Sequence, residues 1–272
     1  MKAFIAASFL AALWLGAASA NAQTMPPNDA GVTMGHLHLN SRDLDANKKI
    51  FVGMGGEALN IPGAPLQYVR FPGVIVILNL PPGAPPESGP SEGTVINHVG
   101  FLVPNAQDAA AKWKAAGLPV EPGRNGRTDQ AYVVTADGLR VEILEDKNQK
   151  EPIRFHHVHF FVPEAAIADI QAWYVKNFGA TAGMRGTSQA ADVPGANLTF
   201  SKTDTPTVPT KGRILDHIGF DVTNLDVAVK RFTANGIKLD RGPETLPNGV
   251  KLLFIHDPWG TNIEVNERPH PM

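Results

Sequence analysis

No cysteine occurs among the 272 residues, so the chain can form no disulfide and offers no cysteine for lipidation; its fold must be held by its core alone. A basic excess is missing too: 24 Lys and Arg stand against 26 Asp and Glu, a net charge of −2, with no local Lys/Arg run. Nothing here neutralises a phosphate backbone, and nucleic acid is not an expected partner. Apolar runs long enough to span a bilayer, which takes about 20 residues, are also absent. The longest, "FIAASFLAALWLG", follows Lys2 and precedes the small-residue stretch Ala20–Ala22, which is the pattern of a secretory leader. Residues 1–22 are therefore expected to be removed, leaving a soluble periplasmic or secreted protein with no membrane association. With 43% hydrophobic residues and 18% charged, the remainder can bury ordinary cores.

Histidine is placed with a pattern. "FHHVHFFV", at 155–162, puts three of the chain's nine histidines within four positions of an apolar run. Three other segments open alike: "GHLHLN" at 35, "NHVGFLV" at 97 and "DHIGFDV" at 216. The shared histidines His36, His98, His157 and His217 are 62, 59 and 60 residues apart, the signature of an internal repeat. Each opening is followed by an amphipathic helical pattern, as in Leu225, Ala228, Val229 and Phe232 after the N-cap candidate Asn224, or Ile167, Ile170, Tyr174 and Phe178. Two or three short strand patterns then close each unit, such as "LQYVRF" and "VIVILNL". The chain thus reads as four βαβββ modules, an α+β fold.

Odd modules begin His-x-His and even modules His-x-Gly, and only the even ones close on a carboxylate, Glu142 in "DGLRVEIL" and Glu264 in "WGTNIEVN". Across the halves the offsets are 121, 119 and 122 residues for His36/His157, His98/His217 and Glu142/Glu264. Modules one and two are accordingly expected to form a domain over 31–147, and modules three and four a second over 153–268, joined by the polar stretch 145–152. Strand alternation places Val158, Phe160 and their equivalents on a core face, and the repeated histidines and both glutamates on the other. His159 shares the histidine face, whereas alternation turns His156 away from it. Two neutral imidazoles and one carboxylate per half suit a divalent transition metal and leave positions for substrate or water.

These openings, together with the "DPWGTNIEV" ending at 257–265, resemble the vicinal oxygen chelate superfamily, which holds glyoxalase I, the extradiol dioxygenases and the bleomycin-binding proteins. The resemblance covers the whole of the expected mature chain and implies paired modules curled around clefts that bind small molecules. Carried over by residue, it implies metal ligands His157, His217 and Glu264 in one pair and His36, His98 and Glu142 in the other. The fourth ligand usual in glyoxalase I finds only Ile77 and Thr199 at its positions. The resemblance therefore implies an enzyme of the extradiol dioxygenase type, with Fe(II) as the expected metal and Mn(II) or Zn(II) as alternatives. A glyoxalase-like lyase or isomerase on Zn or Mn, and a non-catalytic ligand-binding protein, are the other readings. His256 and His159 are the candidates for general acid/base work, and Tyr132, ten residues before Glu142, matches the extradiol second-sphere tyrosine.

Overall fold

The computed structural model describes residues 25–61, 66–81 and 89–269; the expected leader over 1–22 lies outside them. All four modules have the expected order. Module one comprises β1 (Val32–Asn40), α1 (Leu44–Met54), β2 (Glu57–Leu59), β3 (Gln67–Phe71) and β4 (Val74–Asn79). Module two comprises β5 (Ile96–Val103), α2 (Ala106–Ala115), β6 (Val120–Pro122), β7 (Gln130–Val134) and β8 (Arg140–Glu145). Module three runs β9 (Arg154–Val162), α3 (Ile167–Phe178), β10 (Thr181–Arg185), β11 (Ser188–Val193) and β12 (Ala196–Lys202). Module four runs β13 (Leu215–Val222), α4 (Leu225–Ala234), β14 (Arg241–Thr245), β15 (Lys251–His256) and β16 (Asn262–Glu267). Asp43, Asn105 and Asn224 cap α1, α2 and α4 through their side chains, which accept from the backbone N–H three residues on. No described helix is long and apolar enough to cross a membrane.

The modules pair otherwise than expected. One eight-stranded sheet has the order β14-β15-β16-β13-β1-β4-β3-β2 and joins modules four and one; the other, β10-β11-β12-β9-β5-β8-β7-β6, joins modules three and two. The grouping into 31–147 and 153–268 is therefore not the grouping of the sheets. Connection length gives the physical reason. Between β8 and β9 the chain has only residues 146–153, enough to step across β5 and enter as its antiparallel neighbour, since strands lie about 4.8 Å apart. The stretches 80–95 and 203–214 are longer and carry the chain from one sheet to the other. They meet on the way, where Val95 N donates to Val208 O at 3.0 Å and Val208 N to Gly93 O at 3.0 Å.

The apolar faces of both sheets and one face of each helix form a single connected core. Phe71 of the first sheet stacks near Phe101 of the second (4.8 Å between centroids), which in turn meets Phe155 at 5.3 Å. On α3, Ile170, Tyr174 and Phe178 are buried, and Phe178 reaches Phe220 of β13 at 4.5 Å. Consecutive modules are also tied by buried carboxylates at their turns. Asp137 accepts from Arg42 N at 2.8 Å and Asn47 Nδ2 at 2.7 Å, binding module two to module one. Asp257 accepts from Tyr174 Oη at 2.9 Å and from Thr261 N at 2.8 Å, binding module four to module three. Burial pushes the carboxyl of Asp257 upward, against the hydrogen bonds that favour its charge.

Tyr174→Phe removes one donor from this buried carboxylate and is expected to cost about 1–3 kcal/mol. In thermal unfolding that lowers the midpoint by roughly 2–4 °C per kcal/mol for a chain of this size. An unchanged midpoint would show that the bond contributes nothing net.

Candidate metal centres

The histidine faces of the two sheets form two clefts, each built across the central antiparallel pair of its sheet. In the first, β1 and β13 bring together His36, His38 and His217, and β16 adds Glu264; one ligand atom from each of the four lies within 4.8 Å of the others. In the second, β5 and β9 bring together His98, His157 and His159 within the same limit, with Glu142 of β8 beside them. All six expected ligands thus converge, but His36 and His157 exchange places relative to the expected sets. The groups are His36, His217 and Glu264 (cleft A) and His157, His98 and Glu142 (cleft B). The module pairing is the cause of the exchange.

Glycine makes the crossing possible. His36 faces Gly219 across β1–β13, and His157 faces Gly100 across β9–β5. A Cβ at either glycine would collide with the opposing imidazole ring. The His-x-Gly of even modules is therefore the seat for the first histidine of the odd module that pairs with it.

In cleft A, His217 Nε2 stands 2.8 Å and His36 Nε2 3.5 Å from Glu264 Oε2. Ligands at about 2.1 Å from one ion, at 90–110° to each other, lie roughly 3.0–3.4 Å apart, a window that the two observed distances of 2.8 and 3.5 Å bracket. The protonation pattern fits as well. His217 Nδ1 lies 2.6 Å from Asp216 Oδ1, and a carboxylate only accepts, so Nδ1 carries the proton. A neutral His217 then turns the bare lone pair of Nε2 toward a carboxylate oxygen, which is repulsive unless a cation or a second proton lies between. Burial alone would push His217 down, yet the bonds to Asp216 and Glu264 raise it above its ordinary range. His36 Nε2 is buried with no hydrogen bond of acceptable geometry. Burial raises Glu264 by itself, but its contacts with His217 and His36 hold it well below the carboxylate range. Asp216 is fixed by Asn40 Nδ2 at 3.0 Å, Gly212 N at 2.7 Å and Asn262 Nδ2 at 3.1 Å. Behind His36, Arg268 is held by Asp221 at 3.0 Å and places NH2 3.5 Å from Nδ1.

A cavity of about 1000 Å³ opens onto cleft A. Tyr68, Phe254, Ile61, Leu246 and Leu252 give it an apolar wall, and His38 projects into it, stacked on His217 at 4.3 Å. Among the described residues neither ring nitrogen of His38 has a hydrogen-bond partner, and burial, helped by the neighbouring His217 and His36, lowers it to about 3. His38 and Tyr68 were not singled out from the sequence. His38 carries the same His-x-His signal as His159, and Tyr68 lies on the same sheet face through Ile77, the Cα partner of both.

In cleft B the carboxylate is met by more donors, although His157 Nε2, like His36 Nε2, is buried without a hydrogen bond. Glu142 Oε1 accepts from Gln130 Nε2 and from Tyr132 Oη, the latter at 3.2 Å, and Oε2 lies 3.2 Å from His157 Nε2 and 3.6 Å from His98 Nε2. Burial and Glu142 push the Tyr132 hydroxyl up to about 12. His159 Nδ1 lies 3.1 Å from His98 Nε2 and Nε2 lies 2.8 Å from Ser201 Oγ; burial first, then the charges of His98 and His157, lower it to about 2. His156 does not turn away. A β-bulge between Gly100 and Phe101 lets β9 spend an extra residue there, and His156 Nδ1 lies 2.9 Å from His157 Nδ1. His256, expected in acid/base work, sits on the rim with its side chain 61% exposed and bound to Asp240 at 2.7 Å, outside the lining of the cavity.

Residues 122–265 match the family model of the Glyoxalase/Bleomycin resistance protein/Dioxygenase superfamily. A comparison with curated proteins finds no match. Among solved structures, glyoxalase I from Zea mays is similar at 18% identity, over 87% of this chain and 92% of its own, with a TM-score of 0.66. A protein from Bacillus subtilis subsp. subtilis str. 168, described as a candidate dioxygenase, is similar at 13% identity over 91% and 87% with a TM-score of 0.65. At these identities the likeness shows the fold of paired modules.

Asp216→Asn removes the obligate acceptor behind His217. The expected result is a loss of about 10–100-fold in divalent-metal affinity, measured by competition with a chromophoric chelator. Unchanged affinity would mean that Asp216 does not orient the ligand.

Proposed function

Since the chain belongs to the Glyoxalase/Bleomycin resistance protein/Dioxygenase superfamily, we propose that it is a metal-dependent enzyme acting on a small molecule in cleft A, of the extradiol dioxygenase type with Fe(II). The observation that carries this reading is the convergence of His36 Nε2, His217 Nε2 and Glu264 Oε2 at the floor of a cavity of about 1000 Å³. Two imidazoles and one carboxylate on one face are the donor set suited to non-haem Fe(II), and no carboxylate enters from β4, where Ile77 lies beside His38. When bound, the metal supplies a Lewis-acidic centre with coordination positions that three protein ligands leave open.

The chain's own residues supply the rest. Asp216 fixes the tautomer of His217, and the Asp221–Arg268 pair backs His36. The apolar wall of Tyr68, Phe254 and Leu252 accepts a ring and excludes water from one side of it. His38, which among the described residues has no hydrogen-bond partner and lines the cavity, is placed by its geometry to accept a hydrogen bond, and then a proton, from a substrate hydroxyl at the cavity floor. In this reading His38 takes the acid/base role that the sequence suggested for His159 and His256.

A second reading also has an observation in its favour. His38 belongs to the same cluster of donors as His36, His217 and Glu264, and as a fourth ligand it would suit Zn or Mn in a lyase or isomerase.

Oxygen consumption separates the two. Fe(II)-loaded protein is expected to consume O₂ with a catechol and form a yellow ring-fission product. His217→Ala should cut the rate by well over the roughly 10–100-fold that loss of a second-sphere partner costs. Turnover of a carbonyl or thiohemiacetal substrate without O₂, with no uptake across a catechol panel, would overturn the dioxygenase reading in favour of the lyase or isomerase.

A further inference from the structure

The two clefts are copies in backbone but not in chemistry, and one side chain accounts for most of the difference. Arg185, at the end of β10, reaches into cleft B. Its Nε donates to Thr199 Oγ1 at 2.7 Å, its NH2 lies 3.2 Å from His159 Nδ1, and its NH1 lies 3.9 Å from Glu142 Oε2. The corresponding position in cleft A follows from register. Tyr68 pairs with Leu59 and Ile77, as Ala190 pairs with Gly183 and Thr199, so by count along the chain Ile61, two residues past the end of β2, matches Arg185 at the end of β10. Ile61 lines the open cavity of cleft A and brings no charge.

The hydrogen bonds of cleft B tie its imidazoles to the guanidinium. A guanidinium only donates, so His159 Nδ1 accepts from Arg185, and His159 Nε2 carries the proton and donates to Ser201 Oγ. His98 Nε2 lies 3.1 Å from that same Nδ1, so His98, His159 and Arg185 form one hydrogen-bonded group. The Nδ1 of His98 lies 2.8 Å from Asn97 Oδ1, and because an amide can present either its oxygen or, turned over, its NH2, Asn97 fixes no tautomer on His98. The equivalent residue in cleft A is Asp216, which has no donor to offer and so fixes the proton of His217 on Nδ1. The carboxylates differ likewise. Glu142 accepts from Gln130 and Tyr132, while the same positions around Glu264 hold Leu252 and Phe254. In cleft B the carboxylate and His159 are thus engaged by donors whose counterparts in cleft A are apolar, while His157 Nε2 stays without a hydrogen bond.

We propose that Arg185 is the resident cation of cleft B, taking the place of a metal and committing His98 and His159 to one another. The chain therefore loads one metal ion, in cleft A, and the residue at the Ile61/Arg185 position decides which cleft loads. The proposal shares with the functional reading the premise that cleft A binds metal, and the test separates the two.

The test is metal content by plasma mass spectrometry after reconstitution with Mn(II) or Zn(II) and desalting, with thermal unfolding measured with and without the ion. The wild type is expected to hold about one equivalent, lost in His217→Ala and kept in His98→Ala. Arg185→Ile, which copies cleft A, is expected to hold about two equivalents, and the added one should disappear in the double variant Arg185→Ile/His98→Ala. Its midpoint should rise on metal addition by more than that of the wild type, since a second bound ion adds to stability by mass action. Arg185→Lys keeps a cation in the cleft and should stay at about one equivalent. About two equivalents in the wild type, or a loss in His98→Ala, would overturn the proposal; so would Arg185→Ile remaining at the wild-type count while folded. No metal in the wild type but a His98-dependent ion in Arg185→Ile would overturn the functional reading for cleft A and leave the role of Arg185 standing.

Discussion

The structure depends on one steric fit: an imidazole laid over a glycine across an antiparallel strand pair. His36 over Gly219 and His157 over Gly100 set the register of the two central pairs, and from that register follow the positions of every other polar group in the clefts. A side chain on either glycine would push the strands out of alignment, and a shift by one residue would turn the histidine face into the core. Close approach at the seam and metal geometry are therefore the same constraint. Only with the ring held flat against the opposing backbone does its Nε2 arrive within ligand distance of the carboxylate from the neighbouring parallel strand.

Much of this was legible in the sequence. The recurrence of His36, His98, His157 and His217 gave four modules, alternation gave the polar and apolar faces, and the closing motifs gave Glu142 and Glu264. The pairing of modules was not legible from the repeat, because four copies of one unit carry no label saying which two share a sheet. The information lay elsewhere, in the lengths of the connections and in the need of each odd-module histidine for a glycine partner. His156 was misplaced for a related reason. Strict alternation has no room for a bulge, and the extra residue of β9 puts two consecutive imidazoles in contact. Arg185 and Asp216 carry no motif, and their roles appear only when four elements converge.

Divergence between the clefts follows from the same duplication. Once two copies exist, polar groups in one can satisfy each other, as Gln130, Tyr132, Arg185 and His159 do around Glu142 and His98. A buried network of this kind is specific because each member is matched. Cleft A keeps apolar residues at the corresponding positions, and its carboxylate and imidazoles face a cavity. What one cleft gains in internal satisfaction it loses as a receptor, and the other shows the reverse.

The nesting of the modules also orders their assembly. Joining His98 to His157 closes a loop of 59 residues, whereas joining His36 to His217 closes one of 181, an entropic difference of about 1 kcal/mol if each closes alone. Modules two and three are contiguous in the chain and can form their sheet while it is still short; β1 must wait for β13, which arrives only after residue 214. The cleft whose carboxylate is met by neighbouring side chains thus belongs to the part that closes early. The receptive cleft belongs to the seam that closes last, so an intact ligand set in cleft A reports that the whole chain has reached its fold.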